Sequence, residues 1–543
     1  MNFNPNNFLF VPLGGVGKIG MNVTLYHFQG KWIIVDLGAG FADSDIMPGI
    51  NMIVADISFI KKRRKDLLGI ILTHAHEDHI GAVQYLWEDL RCTVYATKFT
   101  ATLLRAKLKE FSLEVPIKEV DTSKKLILDS FTIEFINMTH SIPEMHALAI
   151  HTSVGSILHT GDWKLDNSPI IGPTSNIEKL KQLGKNGLLA VVCDSTNIFT
   201  KGKSGSEGDL YDSLFNIIKN STQRVAVSLF ASNVARIYTF IKISQQLNRN
   251  VIILGKSLIR IIQVAKDSGY LNDIPDFIDE TQAKKLPKNK VLYICTGCQG
   301  EPLAATAKLS TNSHKLAKLE SGDTIIFSSK IIPGNDKRIY GVFNRFVNMN
   351  VKVITEFMDN VHVSGHPARE EIITMYSLTN PKLCIPVHGE YIHMYEHTKV
   401  AQECGIKNHI IPNPGDVIDI VLGKKIDSVK SGYFGVDGNF FHHPEGKVMS
   451  MRRKMKNAGI IIVTLIMNKK NQLLKEPSII APGVLDEVED KALIQKITKK
   501  IGPKFHTSKM QNIKSYIKNI ILNTLKYDIQ NKPVIEVQIE YIV

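Results

Sequence analysis

The stretch Thr73-His74-Ala75-His76-Glu77-Asp78-His79-Ile80-Gly81 sets three histidines and an aspartate within six positions. An apolar run at 67–72 precedes it and reads as a buried strand, and the spacing of 82–87 suits a helix. A strand-to-helix loop escapes both pleated and helical alternation, so its side chains can converge. Divalent zinc or manganese takes imidazole and carboxylate ligands, and two ions a few Å apart can share them. The loop therefore reads as a metal site.

A binuclear site needs about seven ligand positions, and this loop supplies four. The others are expected as His or Asp at strand ends, where rigid elements aim them. His140, Asp162 and His388 each follow an apolar β-type run in a polar or glycine-containing loop. Singly, each is an ordinary strand-end residue; beside the first loop they become candidate ligands.

At 543 residues the chain is long enough for two or three domains, and 44% apolar with 22% charged content is that of a globular protein. Its apolar runs fall short of a membrane span, and the N-terminus has no basic segment followed by an apolar one, so a cytoplasmic location is expected. Among six cysteines only Cys295 and Cys298 have a metal or redox spacing; with no second pair they read as reduced cysteines beside a turn. The net charge is +14, and residues 451–543 carry 17 Lys+Arg against 8 Asp+Glu. A polyanionic partner and a solvated lysine surface both account for that excess.

Strand and helix patterns alternate through the chain, which places it in the α/β class. Gly15, Gly17 and Gly20 lie in a formal Gly-x-Gly-x-x-Gly, but the β-branched, alternating 22–28 that follows predicts a hairpin and not a dinucleotide-binding turn. Neither Gly255-Lys256-Ser257 nor Gly202-Lys203-Ser204 has the upstream glycine of a phosphate-cradling P-loop. The Gly/Ser-rich 201–208 reads as a boundary, and a second α/β unit runs from 209 to about 358. Turn-rich, basic 431–456 precedes a C-terminal unit with strands at 459–467, about 472–480 and 533–542, and helices near 486–500 and 510–526. The basic run 61–65 either lines a nucleic-acid channel or is an exposed loop.

The His-x-His-x-Asp-His loop, preceded by Asp36 and followed by His140, Asp162 and His388, resembles the ordered motif set of the metallo-β-lactamase fold. The second unit is similar to the β-CASP domain of nucleic-acid-processing members, with Asp194-Ser195-Thr196-Asn197, then His366 in Ser-Gly-His, then His388 in Pro-Val-His-Gly-Glu. Segments 13–20, 230–234, 296–302 and 332–335 resemble the ribonuclease J family. Pro367 stands where many relatives have Gly, and Cys298 where Ser is usual.

The resemblance implies an αββα metallo-β-lactamase sandwich with an inserted β-CASP α/β domain and a small α+β C-terminal domain. The expected boundaries are 1–205 and 359–435 for the sandwich, 206–358 for β-CASP, 436–456 for a linker and 457–543 for the last domain. Two divalent ions are implied, zinc foremost, with manganese and magnesium as alternatives. His74, His76 and His140 would hold one, Asp78, His79 and His388 the other, with Asp162 bridging and Asp36 orienting from behind. Asp78, His366 and Asp194 are the implied catalytic residues: His366 as general acid toward the leaving 3′ oxygen, Asp194 as its orienter. Ser232, Asn233, His362, Ser364, Gly365 and His366 would seat a 5′-phosphate.

The implied activity is metal-dependent hydrolysis of single-stranded RNA, 5′-to-3′ and endonucleolytic, in mRNA decay and rRNA maturation. Self-association as a homodimer or homotetramer and membership of an RNA-degradation complex go with it; no membrane partner does. The competing readings are a DNA-directed β-CASP nuclease, a small-ester hydrolase on the same fold, and a metal-dead RNA-binding scaffold subunit.

Overall fold

A computed structural model describes residues 3–470, 472–502 and 512–542. The chain divides into two compact units, Met1–Gly40 with Ala55–Gly432, and Phe41–Val54 with Tyr433–Val543.

Two large sheets organise the first unit. One has eight strands, in spatial order Lys424–Ser428, Asp416–Asp419, Leu9–Pro12, Thr24–Phe28, Lys31–Val35, Leu67–Ile71, Val94–Ala96 and Ile117–Glu119. The other has seven: Asn408–His409, Leu383–Val387, Ala190–Asp194, Gly155–His159, His146–Thr152, Phe131–Asn137 and Leu126–Leu128. Phe10, Tyr26, Ile33 and Ile71 from the first meet Ile133, Leu148, Val192 and Ile385 from the second in one core. Burial of each such side chain contributes about 1.5–3 kcal/mol. The other face of the seven-stranded sheet is covered by Leu180, Met375, Tyr376 and Val400 of helices Ile177–Asn186, Arg369–Thr379 and Tyr391–Glu403. A sheet covered on both faces needs apolar residues throughout, hence the fully buried strand Ala190–Asp194.

Leu9–Pro12 and Thr24–Phe28 pair antiparallel, with no helix after the glycines between them. That is the hairpin the β-branched pattern predicts. The same unit holds a five-stranded, wholly parallel sheet in the order Asn250–Leu254, Val291–Cys295, Val225–Ser228, Thr324–Phe327 and Lys352–Ile354.

The second unit contains a three-stranded sheet, Ser478–Ile480, Ile460–Met467 and Val534–Tyr541, and helices Lys491–Ile501 and Ile513–Leu525. Ile517, Ile521 and Leu525 pack on Ile461, Val463 and Val537. The predicted strand over 472–480 is shorter, and the first two positions of the helix predicted from 510 lie outside the described residues. Residues 436–456 carry part of a hairpin, Tyr433–Asp437 with Phe440–His442, and most of helix Lys447–Ala458. The basic character of that helix is used locally: Arg452 meets Asp437 at 2.5 Å, Lys456 meets Asp45 at 2.7 Å, and Arg453 donates to the Ile46 carbonyl at 2.7 Å. Among the described residues, no helix is long and apolar enough to cross a membrane.

Candidate metal centre

Strand ends gather the candidate ligands. Strand Leu67–Ile71 runs parallel to Lys31–Val35 and Val94–Ala96, and its exit loop carries His74 and His76 before the short helix Glu77–Ile80 carries Asp78 and His79. In the opposite sheet, Gly155–His159, Ala190–Asp194 and Leu383–Val387 are adjacent and parallel. Their exits therefore bring Asp162, Asp194 and His388 side by side. Within this site Asp36 and His388 are non-glycine residues held at positive φ, 62° and 51°, a strained conformation.

Among the described residues, three groups converge within 4.8 Å: His74, His76, His140 and Asp162; Asp78, His79, Asp162 and His388; and Asp162, Asp194 and His366. Asp162 belongs to all three. Its Oδ2 lies 3.2 Å from His79 Nε2, 3.8 Å from His74 Nε2 and 3.9 Å from His140 Nε2. His388 Nε2 and His79 Nε2 stand 3.4 and 3.6 Å from Asp78 Oδ2.

Partners behind the rings aim their lone pairs inward. His79 Nδ1 contacts Asp36 Oδ2 at 2.6 Å, and a carboxylate accepts only, so Nδ1 carries the proton. His140 Nδ1 likewise donates to the Gly365 carbonyl at 2.6 Å. His76 turns the other way, its Nε2 at 3.1 Å from Ser232 Oγ and its Nδ1 facing His74 and His140. A Cβ at Gly365 would lie 2.9 Å from His140 Cε1, so glycine permits that approach.

Burial and neighbouring imidazoles push His74 well below the usual histidine range, and His76 and His140 down to about 3. These three are neutral, the form a cation requires. Burial also opposes charge on His79 and His388, but Asp162 and the carboxylates around it together outweigh it, holding His79 well above its ordinary value and His388 up at about 9. Asp162 Oδ1 and His388 Nδ1 lie 2.8 Å apart without hydrogen-bond alignment, and neither buried atom has a hydrogen-bond partner. Buried polar atoms are normally satisfied, so this imidazole–carboxylate cluster fits divalent cations.

Asp194 is fully buried, and its Oδ2 accepts from His366 Nδ1 at 2.7 Å while Oδ1 accepts from the Thr196 amide at 2.8 Å. Burial lowers the His366 pKa, but Asp194 overrides it and the net shift is upward. Around the expected phosphate pocket, Ser364 Oγ accepts from the His366 amide at 3.1 Å, and burial beside Arg236 pushes His362 down to about 3. Asn233 is engaged elsewhere: its carbonyl oxygen caps helix Val234–Gln246 and its amide donates to Glu207 at 3.1 Å. Pro367 and Cys298 are buried. In the basic run, Lys61 pairs with Asp89 at 2.7 Å and Arg63 lies over the Phe59 ring.

Two contributors carry no motif signal. Asn22 donates from Nδ2 to the Asp78 carbonyl at 3.1 Å and sits 3.0 Å from His79 Nε2. The Thr73 hydroxyl contacts Asp36, His74 and His79. Only their position beside glycines and histidines marked them.

Family models match most of the chain: the metallo-β-lactamase superfamily over 17–176, the ribonuclease J β-CASP domain over 222–346, the Zn-dependent metallo-hydrolase RNA specificity domain over 350–412, and the ribonuclease J C-terminal domain over 447–540. Ribonuclease J of Sinorhizobium meliloti is 38% identical over 490 residues, covering 89% of this chain and 86% of that protein. Ribonuclease J2 of Bacillus subtilis is 34% identical over 504 residues, covering 91% and 90%. A solved protein of unknown function from Enterococcus faecalis V583 shares the fold at 15% identity and a TM-score of 0.54, over 76% of this chain and 99% of that one. The chain belongs to the ribonuclease J family.

Proposed function

We propose that this chain is a metal-dependent ribonuclease that hydrolyses phosphodiester bonds of single-stranded RNA. The observation that carries the reading is the position of Asp162, within 4.8 Å of two imidazole-rich groups and of the His366–Asp194 pair at once. In this reading His74, His76 and His140 hold one divalent ion, Asp78, His79 and His388 hold a second, and Asp162 serves both; zinc is the proposed ion. When bound, such a pair lowers the pKa of water toward neutrality and offsets charge on the attacked phosphate.

The chain's own residues do the rest. Asp36 and the Gly365 carbonyl fix which nitrogens of His79 and His140 carry protons. Asp194 accepts from His366 Nδ1 and favours the imidazolium, so a second proton, on Nε2, is there to pass to the leaving 3′ oxygen. Ser232, His362, Ser364 and Gly365 supply hydroxyl, imidazole and backbone groups for a terminal phosphate, and Asn233 supports that pocket through Glu207. Both 5′-to-3′ and endonucleolytic cleavage, in mRNA decay and rRNA maturation in the cytoplasm, fall within the proposal. So do the domain boundaries given above, assembly as a homodimer or homotetramer, and a place in an RNA-degradation complex.

The test is cleavage of 5′-monophosphorylated, 5′-triphosphorylated and circular single-stranded RNA, each with and without EDTA. Metal-dependent cutting of RNA is expected. Cleavage that survives EDTA contradicts the metal chemistry, and activity on DNA alone replaces the substrate.

A further inference from the structure

Thr73 is fully buried, and its hydroxyl oxygen lies beside an imidazole of each candidate ligand group, 3.0 Å from His74 Nδ1 and 3.4 Å from His79 Nδ1. Its amide donates to Asp36 Oδ1 and its hydroxyl to Asp36 Oδ2, each at 2.8 Å. A hydroxyl has one proton and two lone pairs. Because the Asp36 carboxylate accepts only, the Thr73 proton goes there, and toward His74 the oxygen must accept. His74 therefore carries its proton on Nδ1, and its Nε2 lone pair faces His76 at 3.0 Å and Asp162 at 3.8 Å. Asp36 meanwhile fixes His79 directly at 2.6 Å.

We infer that Thr73 is a positioning residue that extends the reach of Asp36 from one ligand group to the other. One buried carboxylate thereby sets the tautomer of an imidazole in each: His79 by direct contact, His74 through the Thr73 hydroxyl. Asp36 alone does not reach His74 in this arrangement, so without the hydroxyl the His74 Nδ1–H loses its acceptor and the ring is free to take the other tautomer. The inference rests on the proposed ligand assignment and adds to it a residue that touches neither ion nor substrate.

The test is zinc affinity and stoichiometry by competition with a chromophoric chelator, on full-length wild type, Thr73→Val and Thr73→Ser. Valine keeps the shape and removes the hydroxyl; serine keeps the hydroxyl. Loss of a partner behind a metal-ligating histidine typically weakens binding about 10- to 100-fold. Thr73→Val is expected to lose that much at one of two zinc sites, and Thr73→Ser to stay near wild type. Valine binding both ions as tightly as wild type overturns the inference while leaving the metal assignment standing; wild type that binds no zinc removes the assignment itself. A second readout needs no variant that folds: nitrogen-15 chemical shifts of the metal-free wild type report each histidine tautomer. His74 is expected with its proton on Nδ1, and a proton on Nε2 overturns the inference.

Discussion

Two buried polar clusters, one around Asp162 and one around Arg236, are built on opposite principles. In the first, imidazoles and carboxylates converge with polar atoms left over, Asp162 Oδ1 and His388 Nδ1 among them. In the second, nearly every charge is answered. Arg236 meets Glu207 at 2.8 and 2.9 Å and donates to Ser328 Oγ at 2.6 Å and the Val361 carbonyl at 3.1 Å. The Glu207 backbone amide and the Ser206 hydroxyl in turn donate to Asp166, which pairs with Lys164 at 3.1 Å. A buried network with its partners present holds a shape; a buried cluster without them is prepared to bind something. Burial alone does not separate the two, since Asp162 and Arg236 are both nearly inaccessible.

That contrast breaks most easily at Asp162. Asp162→Ala is expected to reduce RNA cleavage by well over about 100-fold, because losing a shared ligand exceeds the 10- to 100-fold loss from an outer partner. Bound zinc, measured by elemental analysis, should fall with it. His366→Ala is expected next, lowering kcat about 100- to 10,000-fold, the range for a general acid. Here zinc content should remain at wild-type level, which separates the two roles.

The second cluster should respond in stability and not in metal content. Glu207→Ala strands the Arg236 charge and is expected to lower unfolding free energy by about 3–5 kcal/mol in a denaturant titration. Burial raises the Glu207 pKa, but Arg236 outweighs it, so the net value lies below the ordinary one. A depressed folded-state pKa gives stability that is present above the unfolded value of about 4.3 and lost as pH falls through the folded value. The gap between wild type and Glu207→Ala should therefore narrow in acid. Asn233→Ala, which removes the cap of helix Val234–Gln246, is expected to cost about 1 kcal/mol, again with zinc binding intact.

The same contrast explains what was legible in the sequence. His74, His76, Asp78 and His79 announce themselves because they fall within six positions, and His140, Asp162 and His388 because each follows an apolar strand run. Strand patterns likewise gave the α/β class, and the β-branched residues after Gly20 correctly excluded a helix. Asn22 escaped notice, read as part of the alternating run 22–28, whose strand begins only at Thr24. Its role depends on Asp78, 56 positions away. Glu207 and Arg236 lie in a loop and on an amphipathic helix, where charged residues are usually solvated; only the folded chain encloses them. Asn233 has the composition of a phosphate contact and the geometry of a helix cap.

Anomalous diffraction at the zinc edge, from crystals of the full chain grown with zinc, is the most direct test of the central claim. Two peaks are expected, one among His74, His76 and His140 and one among Asp78, His79 and His388, with Asp162 between them. A single peak, or none within reach of Asp162, would contradict it.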